Sequence, residues 1–244
     1  MDVPNSKAQS ISFNLHGGIF NNQKIGSLNV SVQGIDFKYG KLQKFSAHTK
    51  NSQFNFFPVD ELKITTPAFK FNPIELSKNQ RFIMPKPVRA NITLKMSEGS
   101  LNKLVSHPTT VDKLESGVAK VTGNFRLIKF FEPKLQLSGG QNLELSLVVT
   151  FGDTFALPVK MNGQLVHKNQ NVQIENMQMA TGNNKLPKQL SKIIQDQLNK
   201  LFDLNQAGGN KDFSIKATSM RIVGKIVVVQ GYASLSKLQF GKKK

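Results

Sequence analysis

Apolar and polar residues alternate with a period of two along most of the chain, and this alternation predicts β-strands. Between residues 10 and 96 the strands are separated by turn residues, and one of them changes phase at Gly34, which predicts a β-bulge there. The clearest later strands, 143–151 and 155–161, predict a hairpin. Lys, Asn, Gln, Ser and Thr fill the other phase, so we predict an antiparallel arrangement with one apolar and one wet face.

Two stretches have helical periodicity instead. Residues 186–204 predict a long helix whose apolar side chains cover about half of its circumference, whereas a helix in a protein core needs a stripe of only ~100°. Residues 97–107 predict a short helix with Ser97 as its N-cap, and residues 109–120 are ambiguous. The wide apolar arc leaves two interpretations open. Either a curved sheet wraps the long helix, or an apolar molecule that is not protein contacts part of it.

The order of these elements defines the predicted fold. Strands, a short helix, more strands, a long helix and a closing hairpin at 213–235 follow one another without alternating β–α units, so the class is α+β. We predict a strongly curved antiparallel β-sheet wrapped around one long C-terminal helix plus a short helix. No linker rich in Pro, Gly or Ser divides the chain, so residues 1–244 are predicted to form a single domain, with an N-terminal β layer at 1–86 and a core with both helices at 87–240.

The charge of the chain predicts an anionic partner. Lys and Arg total 33 against 15 Asp and Glu, a formal net charge of +18, and such an excess favours nucleic acid or the surface of anionic lipid. The alternative is that the charge only keeps a β-rich chain soluble. Nucleic acid is the weaker partner, because the phenylalanines fall in the apolar phase of the strands instead of alternating with Lys or Arg on the wet face.

The residues that carry most enzyme chemistry are absent or scattered. The chain has no cysteine, its four histidines have no metal-ligand spacing, and its acidic residues fall on different predicted elements. A glycine pattern that would bind phosphate groups is also missing. We therefore predict a non-enzymatic protein without metal or cofactor.

The sequence shows no segment expected to span a membrane or to act as a signal peptide. No run of ~18 apolar residues is present, and the N-terminal stretch lacks the apolar segment of a signal peptide. We expect peripheral membrane association, in the cytoplasm or, if a leader has been removed, in the periplasm or envelope.

A lipid gives the wide apolar arc a specific interpretation. A curved sheet folded over a half-apolar helix leaves a groove or tunnel in which each buried methylene of an acyl chain gains ~0.8 kcal/mol, and lysines at its mouth can bind a phosphate headgroup. The alternatives are a helix packed fully against the sheet under solvated lysines, and a scaffold that contacts headgroups without holding an acyl chain. The predicted groove is lined by Leu101, Leu104, Val105, Leu190, Ile194, Leu198, Leu201 and Phe202, and the predicted headgroup contacts are Lys103, Lys188 and Lys192.

Residues 87–105, PVRANITLKMSEGSLNKLV, resemble the strand-then-helix segment of the LmeA-like phospholipid-binding family. The shared features are an apolar alternating strand, the pair Ser97-Glu98 and, on the helix, the pair Leu101-Asn102. A helix introduced by a Leu-Pro pair and the two closing strands are similar as well, and the N-terminal strands are similar to those of cyanobacterial members. The resemblance implies an elongated fold like that of tubular lipid-binding proteins. It also implies binding of phospholipids, including phosphoinositides, with roles in lipid transfer or in maintenance of envelope lipids.

Overall fold

The computed structural model describes residues 7–20, 23–54, 56–79, 81–121, 128–152, 155–185, 188–203 and 213–239. Within these ranges the chain forms the helices α1 (Pro73–Asn79), α2 (Glu98–Val105), α3 (Pro108–Val121) and α4 (Lys188–Leu201). The strands are β1 (Lys7–Phe20), β2 (Gln23–Asp36), β3 (Lys41–Phe54), β4 (Phe57–Thr65), β5 (Phe69–Lys70), β6 (Arg81–Ser97), β7 (Ile128–Ser138), β8 (Asn142–Phe151), β9 (Phe155–Lys168), β10 (Asn171–Thr181), β11 (Asn184–Lys185), β12 (Phe213–Val223) and β13 (Ile226–Gln239).

The described strands form two sheets rather than the single predicted one. The first has the order β1-β2-β3-β4-β6-β13-β12, with the short β5 beside β3, and the second has the order β11-β10-β9-β8-β7. All of the pairs between described strands are antiparallel, so this part of the prediction is confirmed. Along the chain, β6 of the first sheet is followed by α2 and α3, and the next described strand is β7 of the second sheet.

The helices correct the prediction in length and number. α4 has 14 residues, so the long C-terminal helix is not found, and positions 186, 187 and 204 of the predicted helix lie outside the described residues. α2 confirms the predicted short helix, since the Ser97 side chain caps it by accepting the N–H of Ser100 at 3.2 Å. α3 shows that the ambiguous stretch is helical.

α1 was not predicted, because its 7 residues are too few for a helical hydrophobic period. Its start nevertheless carries the usual signals. The side chain of Asn72 accepts the N–H groups of Ile74 and Glu75 at 3.0 and 3.2 Å, and Pro73 occupies the first helical position. The Asn-Pro pair is the sequence signal that could have predicted this helix.

The largest core lies between the second sheet, the helices α2, α3 and α4, and parts of β4, β6, β12 and β13 of the first sheet. The apolar phases of β8, β9 and β10 face it, with Leu145, Met161 and Ile174 fully buried. Two smaller clusters lie along the first sheet, one on β6 and β13 and one around Phe71. One end of the first sheet therefore shares the main core with the second sheet, and the rest of the first sheet buries its apolar residues in the two smaller groups.

Side chains of α2 hold the edge of β7 through its backbone. Asn102 accepts the N–H of Leu135 at 2.7 Å and donates its amide to the carbonyl of Leu135 at 2.8 Å. One oxygen of Glu98 accepts the N–H of Leu137 at 2.8 Å, and the other pairs with the ammonium of Lys225 at 3.0 Å. The N–H of Leu137, followed by Lys225, lowers the pKa of Glu98.

Side chains of α4 hold β10 in the same way. Asn199 accepts the N–H of Ile174 at 2.6 Å and donates to the carbonyl of Ile174 at 3.1 Å. Four residues earlier, Gln195 accepts the N–H of Met177 at 3.2 Å. Gln195 and Asn199 are four residues apart on α4, as Glu98 and Asn102 are on α2. Each helix therefore has an amide and a second acceptor, one helical turn apart, that both lie over a strand.

This attachment covers the two edges of the second sheet. β7 is one edge strand, and β10 is followed only by the two-residue β11. Unpaired backbone groups along a strand edge recruit other strands unless something covers them. The side chains of Glu98 and Asn102, which carry much of the family resemblance, therefore have a structural role in holding the sheet closed.

Candidate functional site

The residues predicted to line a groove lie together in the main core. Leu190 is half-buried and packs against that core. The other members are at most 5% exposed and are Leu101, Leu104, Val105, Ile194, Leu198, Leu201 and Phe202. They contact protein on all sides that the structure describes, and their contact with an acyl chain stays a prediction.

The clefts that flank α4 in the described residues are lined mainly by polar and charged residues. One, of about 310 Å³, lies between α3 and α4 and is lined by polar and charged side chains that include Lys113 and Lys200. Another, of about 590 Å³, lies on the β10 side and has Val172 and Ile193 as its apolar members. The apolar arc of α4 faces inward instead.

Gln197 interrupts the apolar arc of α4 for a local reason. It lies over Gly117 of α3, where a Cβ atom would approach the Gln197 side chain to 2.5 Å. The glycine therefore lets the two helices approach closely, and the amide fills the space left by the missing side chain. Contact with α3 as well as with β10 explains why the arc is wider than a single sheet would require.

The predicted headgroup lysines lie on helices that pack against different edges of the second sheet. Lys103 is exposed on α2, which packs on β7, whereas Lys188 and Lys192 are exposed on α4, which packs on β10. The structure therefore keeps Lys188 and Lys192 together on one face of α4 and places Lys103 on another helix. Their role as headgroup ligands stays a prediction.

An apolar pocket of about 290 Å³ lies within the first sheet, away from these residues. Its surface has no polar part. β2 and β3 form one side, β6 and β13 form the other, and the segment between β4 and β6 closes it. The lining residues are Val30, Val32, Ile35, Phe37, Leu42, Phe45, Thr66, Phe69, Phe71, Leu76, Met84, Val88 and Leu235.

The pocket exists because β4 ends early. β4 stops at Thr65, so the N-terminal parts of β3 and β6 continue with no β4 residue between them. The segment that follows β4 bridges the gap between these parts of β3 and β6. Phe71 donates its N–H to the carbonyl of Gly40 at 2.7 Å, next to β3. Asn72 donates its N–H to the carbonyl of Ile83 on β6 at 2.8 Å.

Thr66 is the one lining residue with polar side-chain atoms, and those atoms are already bonded. Its hydroxyl accepts the N–H of Phe45 at 3.1 Å, and its own N–H donates to the carbonyl of Phe45 at 2.9 Å. Its methyl group is therefore what remains for the pocket. The half-buried side chains of Val30, Val32 and Phe45 keep the lining partly accessible.

Gly34 brings both faces of β2 into the lining. Its φ of +62° lies in the left-handed region, which favours glycine. β2 keeps one register with β1 and β3 on both sides of Gly34, so the predicted β-bulge is wrong and the phase changes without an extra residue. As a result Val32 before the glycine and Ile35 and Phe37 after it all line the pocket.

The described acidic groups with perturbed pKa values have structural partners. Glu61 on β4 contacts Lys95 at 2.6 Å and Lys63 and His48 at 2.9 Å. These contacts, with Lys95 first, lower the pKa of Glu61 to about 2. Among the described residues no group of three or more His, Asp or Glu is placed to hold a metal ion. None of the helices in the described ranges is long and apolar enough to cross a membrane.

Sequence reasoning placed Val30, Val32, Ile35, Phe37, Phe69, Phe71, Val88 and Leu235 on strands and assigned the apolar strand faces to the core. It missed the pocket because the early end of β4 leaves no mark in the hydrophobic pattern. Two signals pointed toward it. The phase change at Gly34 supplies apolar side chains from both faces of one strand, and Phe69 and Phe71 lie just before the Asn-Pro pair that starts α1.

Comparison with known proteins identifies one family. A model of the LmeA-like phospholipid-binding family matches residues 22–232. The matched range includes most of the pocket-forming strands, α2 and α4. No curated protein and no solved structure gives a significant match.

Proposed function

We propose that this chain, which belongs to the LmeA-like phospholipid-binding family, holds one acyl chain of a membrane phospholipid in the pocket between β2–β3 and β6–β13. The observation that carries the proposal is a cavity with an entirely apolar surface in a strongly cationic chain. Concave sites with a mainly apolar lining are the usual binding sites of apolar ligands. The proposed activity is binding without catalysis.

The volume limits how much of a lipid enters. A methylene group fills about the same volume as a water molecule in the liquid, roughly 30 Å³, so about 290 Å³ holds roughly ten methylenes. At ~0.8 kcal/mol each, they gain roughly 8 kcal/mol before the cost of association, which is of similar size. Insertion of one partial chain therefore supports reversible binding, with the headgroup and the second chain outside the pocket.

The net charge supports an anionic headgroup. A chain of +18 attracts the phosphate of phospholipids and the surface of anionic membranes. The earlier hypothesis of a groove beside α4, with Lys103, Lys188 and Lys192 at its mouth, is the second candidate. Leu190 is the position at which to test it, because it is the one predicted groove residue that is not fully buried.

The experiment is native mass spectrometry of the purified protein, followed by solvent extraction and identification of the bound molecule. We expect phospholipid at near-unit stoichiometry. The double variant Val30→Phe with Val32→Phe fills the pocket from half-buried positions and should lose the lipid. Val223→Phe, at a valine that is 55% exposed, is the matched control and should keep it.

The other outcomes separate the alternatives. Lipid that persists in the filled variant but is lost in Leu190→Asp would place the acyl chain beside α4. A wild-type protein that is empty yet pellets with anionic vesicles would indicate a surface scaffold. Co-purified nucleic acid, with binding that falls steeply with salt, would overturn the lipid function.

A further inference from the structure

One end of the pocket carries exposed apolar side chains. Tyr39, in the turn between β2 and β3, is 60% exposed, and Ile74, at the start of α1, is 61% exposed. Phe37 precedes Tyr39, is 36% exposed and also lines the pocket. These residues and their basic neighbours are called the tip, which consists of Phe37, Lys38, Tyr39, Lys41, Lys70 and Ile74.

The two chain segments of the tip are held together. A Cβ atom on Gly40 would lie 2.1 Å from the carbonyl oxygen of Phe71 and 2.9 Å from Cδ of Pro73, so the turn lies directly against the start of α1. The rings of Phe37 and Phe71 meet edge to face with their centroids 6.4 Å apart. The tip is thus a single surface continuous with the pocket.

The tip is also cationic. The ammonium groups of Lys38 and Lys41 lie 5.5 and 5.8 Å from the ring centroid of Tyr39. Lys70 on β5 is the cross-strand neighbour of Lys41. All three lysines are exposed, so Tyr39 lies beside two ammonium groups and a third lysine is paired with one of them.

The acidic residues of the same elements are engaged elsewhere. Asp36 accepts the N–H of Tyr39 at 3.1 Å and pairs with Lys7 at 3.6 Å. Glu75 on α1 accepts the side-chain amide of Asn79 at 3.0 Å. Both carboxylates are more buried than the three lysines, so the outer surface of the tip is positive.

We propose that the tip is the surface by which the protein docks on an anionic bilayer, with Tyr39 and Ile74 entering the headgroup region. Tyrosine favours this region because its ring is apolar and its hydroxyl is wet, and lysine stems extend along apolar surface while their ammonium groups reach phosphate. Since Phe37 belongs to both the tip and the pocket, docking would set the pocket mouth on the membrane. This last step rests on the proposed lipid-binding function.

Charge selects the bilayer over a second copy of the chain. A twofold contact between two tips would oppose the same surface to itself and bring Lys38, Lys41 and Lys70 against their equivalents. Like charges in a closed contact are repulsive. An anionic membrane instead attracts each lysine near its surface.

The test is sedimentation of the full chain with phosphatidylcholine vesicles, with and without phosphatidylglycerol. Lys38→Glu with Lys41→Glu should lower the partition coefficient on the anionic vesicles by ~10-fold or more, since a single lysine contributes ~5-fold. Tyr39→Ser with Ile74→Ser should lower it by a similar factor even in high salt. Circular dichroism and the melting temperature establish that these variants fold.

The matched controls lie on the second sheet. Lys134→Glu with Lys185→Glu makes the same charge change at two exposed lysines, and Phe131→Ser with Phe155→Ser removes two aromatic side chains that are 50% and 56% exposed. We expect little change in the partition coefficient of either control variant. Equal losses in the tip and control variants, or none in the tip variants, would overturn the proposal.

A second measurement separates docking from lipid binding. Loading with a short-chain phospholipid below its micelle concentration bypasses the bilayer. The tip variants should load as wild type does from this solution and more slowly from vesicles. Wild-type protein that sediments with vesicles but never loads would contradict the proposed lipid pocket and leave the docking surface. Loading without tip-dependent sedimentation would contradict the docking surface and leave the lipid pocket.

Discussion

Replacing Asn102 with alanine should destabilise the protein although Asn102 is only half-buried. The change removes both hydrogen bonds between α2 and the backbone of Leu135, which is 1% exposed. Each backbone group left buried and unpaired costs about 1–3 kcal/mol, so we expect a loss of about 3 kcal/mol in the free energy of unfolding. The hydrogen bond from Leu137 to Glu98 remains and limits the loss.

Urea titration and thermal melting measure this loss. For a chain of this size, each kcal/mol lowers the melting temperature by about 2–4 °C, so the expected drop is roughly 9 °C. Asn102→Asp keeps an acceptor for the N–H of Leu135 but loses the donor to its carbonyl, and should retain part of the stability. Asn162→Ala, at an exposed strand position on β9, is the control. A loss below ~1 kcal/mol for Asn102→Ala would refute the argument that this amide satisfies the strand edge.

Three further predictions concern a helix-to-strand contact, a glycine with positive φ and an ion-paired carboxylate. Asn199→Ala should lower the unfolding free energy by a similar ~3 kcal/mol in urea, since it makes the same pair of bonds to β10. Gly34→Ala should lower the melting temperature, because the φ is +62° and the new Cβ would lie 2.3 Å from the Gln43 side chain; adding Gln43→Ala should recover part of the loss. Glu61 stabilises the fold when it is ionised, so Glu61→Gln should cost about 1 kcal/mol at pH 7. That difference should vanish as the pH falls from 4.5, the usual pKa, through about 2, measured by urea titration across pH.

The β8–β9 hairpin and the start of α2, which carry a local sequence signal, were predicted correctly. Strict alternation marked β8 and β9 and their hairpin, because a strand between solvent and one core must alternate. The Ser97 cap marked the start of α2 because its side chain satisfies a free helical N–H. Both signals are local, and the local signal decides the structure there.

What the sequence did not predict depends on where elements end and meet. α2 and α3 stand between the two sheets in the chain and are held on β7 by side-chain to backbone bonds, which hydrophobic patterning does not encode. In the described residues the apolar arc on α4 packs against two protein neighbours, α3 and β10, and Gly117 is the residue that lets α3 approach closely. An excess of apolar surface therefore identifies contact without identifying the partner.

The packing of the described residues differs between the two sheets. Around the second sheet, three helices and part of the first sheet cover the apolar face, and side chains such as Leu145, Met161 and Ile174 are fully buried. In the first sheet, the early end of β4 leaves a gap between β3 and β6. A short bridging segment covers this gap but does not fill it. Deleting side-chain volume from a well-packed core costs stability, whereas a pocket formed by a missing strand requires no such deletion. This is the structural reason for proposing that the chain holds its lipid at the first sheet.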